Sequence, residues 1–409
     1  AETGTLPAGV TFVDHGDGTA TLAGVPVAGT ASAYPLTLTA TNGVAPDATI
    51  AFTLTVEAAG TATALTSSDS ASVVGQVVTY TATVTPPPDG GSVAFADGGT
   101  PIAACASQPV TAGQATCQVT YTAPGNHAIT ATYSGDSSFK GSDAGLTQAV
   151  GPAATSLTLT SQAASVATNC DPRHGPRDCG DQPRRPADRL GGVCAGSGDS
   201  GPDTVSRSVY VPSGPDVSIL CQPVTFTATV ALTAPGAGAP TGTVTFTDGS
   251  STLGTASLSA TGTATLTTDN LPAGPQAITA TYGGDTDFQG CSAILTQHVE
   301  YIFVGLLPPF DRHDSVDARQ TLPVTFMLLD AQGRPVRGAK ATLLVNGNPA
   351  VPQRHLNQGD AFREVGGRYQ YDLKLGDQGV SSGTAQLTIV LDDGTTHAFS
   401  LTVRSPDRH

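Results

Sequence analysis

Residues 194–202 read CAGSGDSGP, the one stretch of the chain that looks like nucleophile chemistry. Ser200 lies between Asp199 and Gly201, a setting that can expose a hydroxyl on a tight turn. For acyl transfer such a serine needs a histidine base, a carboxylate to orient that base, and backbone donors for the oxyanion. Three other residue sets raise the same question. "DHGDGT" at 14–19, and the loops "DSSF" and "DTDF" beginning at Asp136 and Asp285, could lend carboxylates to calcium. Seven cysteines, with His174 close to three of them, could hold zinc or pair as disulfides. Lys140, Lys340 and Lys374 could form amide cross-links to asparagine side chains.

Each set falls short on spacing. The Gly-Asp-Ser-Gly run resembles the serine loop of trypsin-like proteases, Gly-Asp-Ser-Gly-Gly-Pro; here Pro202 follows Gly201 directly, so one glycine is missing. No "TAAHC"-like strand precedes it, and His174 sits in "PRHGPR" rather than on a framed strand. Ser200 therefore reads as loop, and the chain as no enzyme. The aspartates lack the spaced ligand run of a twelve-residue calcium loop and suit Asx turns. The cysteine spacings match no CxxC pattern, and one lysine serves the first 300 residues. No catalytic residue, cofactor or metal site is expected.

The elements around these residues are clearer than any site. Gly 48 and Pro 30, with 5% aromatic and 12% charged residues, favour short strands and frequent turns over helices. Two segments are copies. The first runs from Gly75 as "GQVVTYTATV", then "SVAFADGG", "NHAITATYSGDSSFKGS" and "LTQAV"; the second runs from Cys221 as "CQPVTFTATV", "GTVTFTDGS", "PQAITATYGGDTDFQGC" and "LTQHV". Val78, Tyr80, Ala82 and Val84, like Val224, Phe226, Ala228 and Val230, alternate with threonines. That period of two predicts a half-buried strand with its threonine face toward water. "DGG" and "DGS" mark turns, and regular short strands predict an antiparallel sandwich.

On these motifs the two copies resemble the bacterial immunoglobulin-like repeat found in tandem on secreted and surface proteins. Residues 1–58, with "LPAGVTF" and "TLTATNG", resemble an immunoglobulin-like or cadherin-like module whose opening strands are absent, as in a fragment. Residues 301–409 are similar to a C-terminal β domain of large actinobacterial surface proteins. The expected architecture is all-β: tandem immunoglobulin-like antiparallel β-sandwich modules in series. They are a partial module at 1–58, repeats at 61–150 and 151–300, and a C-terminal sandwich at 301–409. The second repeat carries a loop insertion at about 170–220, placed between "SVATN" (165–169) and "CQPVTF", a point that the first repeat crosses as "SVVGQVVTY" without interruption.

Cys105 and Cys117 flank a predicted strand–turn–strand and are expected to face each other as a disulfide. Cys170 with Cys221 would bracket the insertion and Cys179 with Cys194 would staple it, leaving Cys291 as the odd thiol. Paired cysteines suit an oxidising compartment.

The net charge is −15, and Lys140 is the sole Lys or Arg before residue 168, so this half repels nucleic acid and anionic lipid. No run of 18 apolar residues offers a membrane span. The expectation is a monomeric, non-catalytic stalk or adhesion region of an exported bacterial protein, at the cell surface or outside it. Its partner would be an unidentified surface or extracellular protein or glycan. An accessory or carbohydrate-binding region of a larger secreted enzyme is the alternative.

Overall fold

A computed structural model describes residues 1–165, 209–307, 315–352 and 359–404. They fall into two compact units. One comprises Ala1–Ser156 with Ala231–Pro240 and Gly284–Gly290; the other comprises Leu157–Val230, Thr241–Gly283 and Cys291–His409. The all-β reading holds, because almost every regular element is a strand.

The N-terminal segment has five strands: β1 (Glu2–Gly4), β2 (Val10–Asp14), β3 (Ala20–Gly24), β4 (Ser32–Ala40) and β5 (Ala48–Val56). Their order is β1-β4-β5 in one sheet, with β2 and β3 as a separate hairpin. Leu36 is the one large apolar side chain that this segment buries.

The first repeat supplies β6 (Ala62–Ser67), β7 (Ala71–Val73), β8 (Val77–Thr85), β9 (Ser92–Asp97), β10 (Thr100–Pro101), β11 (Gln108–Pro109), β12 (Gln114–Thr120), β13 (Gly125–Tyr133) and β14 (Ser142–Gly151). Sheets β10-β9-β13-β14-β7 and β12-β8-β6 face each other. Every inward position of β8 is closed: Val78, Tyr80 and Ala82 are 0% exposed and Val84 is 1% exposed. The threonines between them stay half-exposed, as period-two burial requires.

The second repeat repeats the plan with β15 (Thr155–Ala163), β17 (Val217–Ile219), β18 (Val224–Leu232), β19 (Thr243–Asp248), β20 (Ser251–Ser257), β21 (Thr263–Thr268), β22 (Gly274–Tyr282) and β23 (Cys291–Glu300). β17 runs parallel to β23, with Ser218 opposite Val299, as β7 runs parallel to β14, with Ser72 opposite Val150. The counterpart of "SVVGQ" is therefore Ser218–Gln222, downstream of the insertion rather than ahead of it at 165–169. Hydrogen bonds show the equivalence. Gln76 Oε1 accepts from Val73 N–H, and Gln222 Oε1 accepts from Ile219 N–H. Periodicity could not find this, because the strand has three residues.

The segment leaving the insertion forms β16 (Val209–Tyr210), which pairs with β24 (Ile302–Val304) of the C-terminal sandwich. That sandwich continues with β25 (Ser315–Asp317), β26 (Thr321–Leu329), β27 (Ala341–Val345), β28 (Asn348–Pro349), β29 (Arg363–Val365), β30 (Arg368–Lys374), β31 (Gly383–Leu391) and β32 (Thr396–Arg404). Sheets β16-β24-β26-β30-β29 and β25-β32-β31-β27-β28 enclose Phe326, Leu343, Tyr371 and Ile389, each 0% exposed.

Candidate functional site

The "DSSF" and "DTDF" loops supply the most elaborated constellation of the first unit. Asp136 Oδ1 accepts hydrogen bonds from Ser138 N–H (2.7 Å) and Phe139 N–H (2.8 Å), and Asp285 Oδ1 accepts the same pair from Asp287 and Phe288 (2.9 Å each). This Asx-type closure aims the next peptide groups outward, where they grip the chain that enters each repeat. Ala59 N–H donates to Ser138 O (2.8 Å) and Lys140 N–H donates to Ala59 O (2.7 Å). One repeat later, Ala153 N–H donates to Asp287 O (2.8 Å) and Gln289 N–H donates to Ala153 O (2.9 Å). Thr61 and Thr155 add hydroxyl donors to Lys140 O (2.8 Å) and Gln289 O (2.6 Å). The carboxylates are committed to holding a joint.

The two joints differ in closure. At the first, Phe139 is half-buried, Ala59 is exposed, and Lys140 Nζ meets Glu57 Oε2 at 2.9 Å. At the second, Phe288 is 5% exposed and belongs to the first repeat's core, and Ala153 is 0% exposed. The cause is the loop 231–240, longer than its "PPPDGG" counterpart. Its Ala237 N–H donates to Val74 O (3.3 Å) and its Thr233 N–H donates to Ala154 O (3.0 Å). A Cβ on Gly236 would sit 2.5 Å from the Ala153 Cβ, and one on Gly238 would sit 2.6 Å from the Phe288 ring. Glycine at these places is a packing requirement. Sequence reading missed the joint, although the extra "APGAGAP" was its visible trace.

Burial alone would raise the Asp136 carboxyl, but the Ser138 and Phe139 N–H groups and the Tyr133 hydroxyl hold it below the ordinary value of 3.8. A depressed folded pKa contributes stability above the unfolded value and loses it as pH falls through the folded one. Acidification from about pH 5 to about pH 2 should therefore speed exchange of the Ser138 and Phe139 amides, corrected for intrinsic rates. Asp136→Asn should flatten that dependence. Amide exchange followed by NMR decides it, and protection equal at both pH values would refute the clip.

The remaining candidates resolve as follows. Cys105 and Cys117 are joined, with S–S 2.05 Å and Cα–Cα 5.6 Å. Cys170, Cys179, Cys194, His174 and Ser200 lie outside the described residues, and with them both pairings proposed for the insertion. Cys221 is half-buried at φ 61°, in the left-handed place that Gly75 (φ 81°) fills in the first repeat. Cys291 is half-buried opposite Tyr282. At 14–19, Asp14 accepts from Gly16 N–H (3.0 Å) and Asp17 from Thr19 N–H (2.9 Å). The Thr19 hydrogen bonds lower the Asp17 carboxyl below its ordinary range. Among the described residues, no three His, Cys, Asp or Glu side chains are placed to hold a metal.

One polar array was not foreseen. Asp97 Oδ2 lies 2.7 Å from His127 Nδ1, the His127 and Tyr121 rings are 4.0 Å apart, and the Tyr121 and Tyr80 hydroxyls are 2.7 Å apart. Burial pushes both phenols up, so they remain protonated donors. The second repeat has Phe226 and Gln276 at the places of Tyr80 and His127, so the sandwich forms without it.

Residues 65–151 and 212–300 each match the family model of the bacterial Ig-like domain (group 3), so these two segments are bacterial Ig-like domains in tandem. No curated protein matches the chain. Among solved structures, the chain is similar to a tetra-tandem repeat from the extending region of a large adhesion protein. That match has 14% identity and a TM-score of 0.33, and covers 97% of this chain and 91% of the other. It is also similar to the Escherichia coli adhesin FdeC, at 15% identity and TM-score 0.21, covering 85% of this chain and 98% of that one. For invasin, a bacterial integrin-binding protein, the values are 13% and 0.31, covering 84% and 60%. At these identities the likeness concerns the fold alone.

Proposed function

We propose that the chain is a non-catalytic stalk or adhesion region of an exported bacterial cell-surface protein. One observation carries the reading: the same loop grips the entering chain at two successive linkers, Ala59 on Phe139 and Ala153 on Phe288. A parallel bridge at each joint resists separation through two backbone hydrogen bonds and a threonine hydroxyl, which suits a segment under tension. The modules are assigned as 1–58, 61–150, 151–300 and 301–409, and the partner as a surface or extracellular protein or glycan. A carbohydrate-binding appendage would suit exposed aromatic platforms, and among the described residues Tyr210 is the one large aromatic on the exposed side.

Pulling single molecules by their ends tests the reading. Residues 61–150 should unfold as one discrete event that releases about 260 Å of chain while the Cys105–Cys117 bridge withholds its loop, and about 300 Å once it is reduced, at roughly 3.4 Å per residue. Smooth extension without such an event would remove the stalk reading. Retention on insoluble polysaccharide would favour the appendage.

A further inference from the structure

We propose that Tyr210 and His397 form a latch that holds β16 on the C-terminal sandwich and opens when His397 takes up a proton. The proposal does not depend on the stalk reading. β16 has two residues and ends its sheet, paired with β24. So short a strand has few backbone hydrogen bonds, and the Tyr210 side chain supplies a further hold. Its ring packs against the His397 ring in an edge-to-face arrangement at 5.2 Å, and its hydroxyl donates to Glu300 Oε2 (3.1 Å). The half-buried His397 in turn lies flat on Phe303, with ring centroids 3.9 Å and planes 13° apart. Phe303 is buried in the sandwich core, so the stack Tyr210–His397–Phe303 runs from the surface inward. Pro212 is buried as well, which leaves 209–211 as the segment that can swing.

The hydrogen bonds around His397 assign its neutral form. Thr395 Oγ1 gives its proton to Asp393 Oδ1 (2.7 Å), so it accepts from His397 Nε2–H at 3.3 Å. The lone pair is then at Nδ1, and a proton taken up there charges a ring set between two aromatic rings. The groups that face it are Thr395 and Asp393 from its own turn, Tyr210 from β16 and Phe303 from β24. Glu300, at the end of β23, acts on it through Tyr210. Burial disfavours the charged ring, Asp393 favours it, and burial prevails, holding His397 below its ordinary value of 6.5. Once Tyr210 swings out, water reaches the ring and the charge costs less. The open form therefore binds the proton more tightly. The latch is at full strength above about pH 6.5 and loosens as the pH falls toward the closed-state value.

Amide exchange of the full chain, corrected for intrinsic rates, reads the latch at β16 and β24. Protection there should fall between about pH 7.5 and about pH 5, by no more than about tenfold per pH unit, the limit for one proton. β26 and β31 should stay protected throughout. His397→Phe keeps a ring in the stack and should make protection equal at both pH values. Glu300→Gln keeps an acceptor for the Tyr210 hydroxyl and should leave the dependence in place. Tyr210→Ala should uncover His397 and move its titration, followed by NMR, up toward the ordinary value. Equal protection of the wild type at both pH values overturns the proposal. So does a dependence that survives His397→Phe or vanishes with Glu300→Gln. A His397 titration indifferent to Tyr210→Ala, or an acid loss that takes β26 along with β16, overturns it too.

Discussion

Phe288→Ala should cost the first unit about 3–5 kcal/mol, the range for removing a buried phenylalanine from a core that cannot collapse. The ring is 5% exposed and lies in the first repeat's hydrophobic cluster with Val74, Val150 and Ala153. Its surroundings are backbone and small side chains, Gly238 among them, with little freedom to fill a cavity. The effect should therefore appear in the first repeat, although the substitution lies more than a hundred residues beyond its core strands. At about 4–8 °C per kcal/mol for a domain of this size, the first repeat's melting temperature should fall by more than 10 °C. Calorimetry of the full chain, with amide exchange to assign the transition, measures it. Phe139→Ala, at the half-buried joint, should cost markedly less. Equal losses at the two positions would contradict the difference in closure.

Cleaving the Cys105–Cys117 bond should be nearly as damaging. The bridge spans a sequence separation of 12, and closing a loop of that length removes roughly 3 kcal/mol of unfolded-chain entropy. Both cysteines are also core members, at 4% and 2% exposed, so reduction strands two thiols where the bridge had been packed. Denaturant titration of Cys105→Ser with Cys117→Ser against the wild type should show a lower midpoint for the first repeat and an unchanged one for the second, whose own expected bridges a reductant would also cut. The second repeat has Leu266 opposite Phe226 where the first has Cys117 opposite Tyr80, so its sheet holds that place by packing alone. A common shift of both transitions would mean that the bridge does not act through the first repeat's own chain.

The strands were legible because threonine alternates with apolar residues long enough to fix a face. Val224, Phe226, Ala228 and Val230 are all 4% exposed or less, as the pattern requires. The Cys105–Cys117 bridge is present, but not on the expected pair of facing strands: Cys105 closes a 3-10 turn (Ala103–Cys105), and β11 and β12 pair with β9 and β8 rather than with each other. The joint was not legible. Ala153, Gly236 and Gly238 carry no periodicity, and their roles arise only when a loop of one repeat meets the end of another. Nor did "LTQ" announce that Gln148 and Gln297 would be 0% exposed, anchored by Ser72 and Ser218. A glutamine in an alternating strand reads as solvent-facing until the sheet above it is known. The "DSSF" aspartates were read as turn formers, but what their turns hold could not be read from one loop.

The grip on the entering chain also gives the repeat a direction. The residue that is held, Ala59 or Ala153, precedes a repeat's first strand, while the loop that holds it comes just before that repeat's last strand. At the second joint the plug, Phe288, and the socket that receives it belong to successive copies in the sequence. Head and tail are different surfaces, so the contact is heterologous rather than self-complementary. A gene that duplicates one copy in frame, linker included, reproduces plug and socket together and needs no new complementarity. Copy number can then drift by unequal crossing-over while the joint is inherited unchanged. A substitution that enlarges Gly236 or Ala153 would drive the two against each other, since a Cβ on Gly236 would lie 2.5 Å from that of Ala153, so drift at these positions should be slower than on the threonine faces.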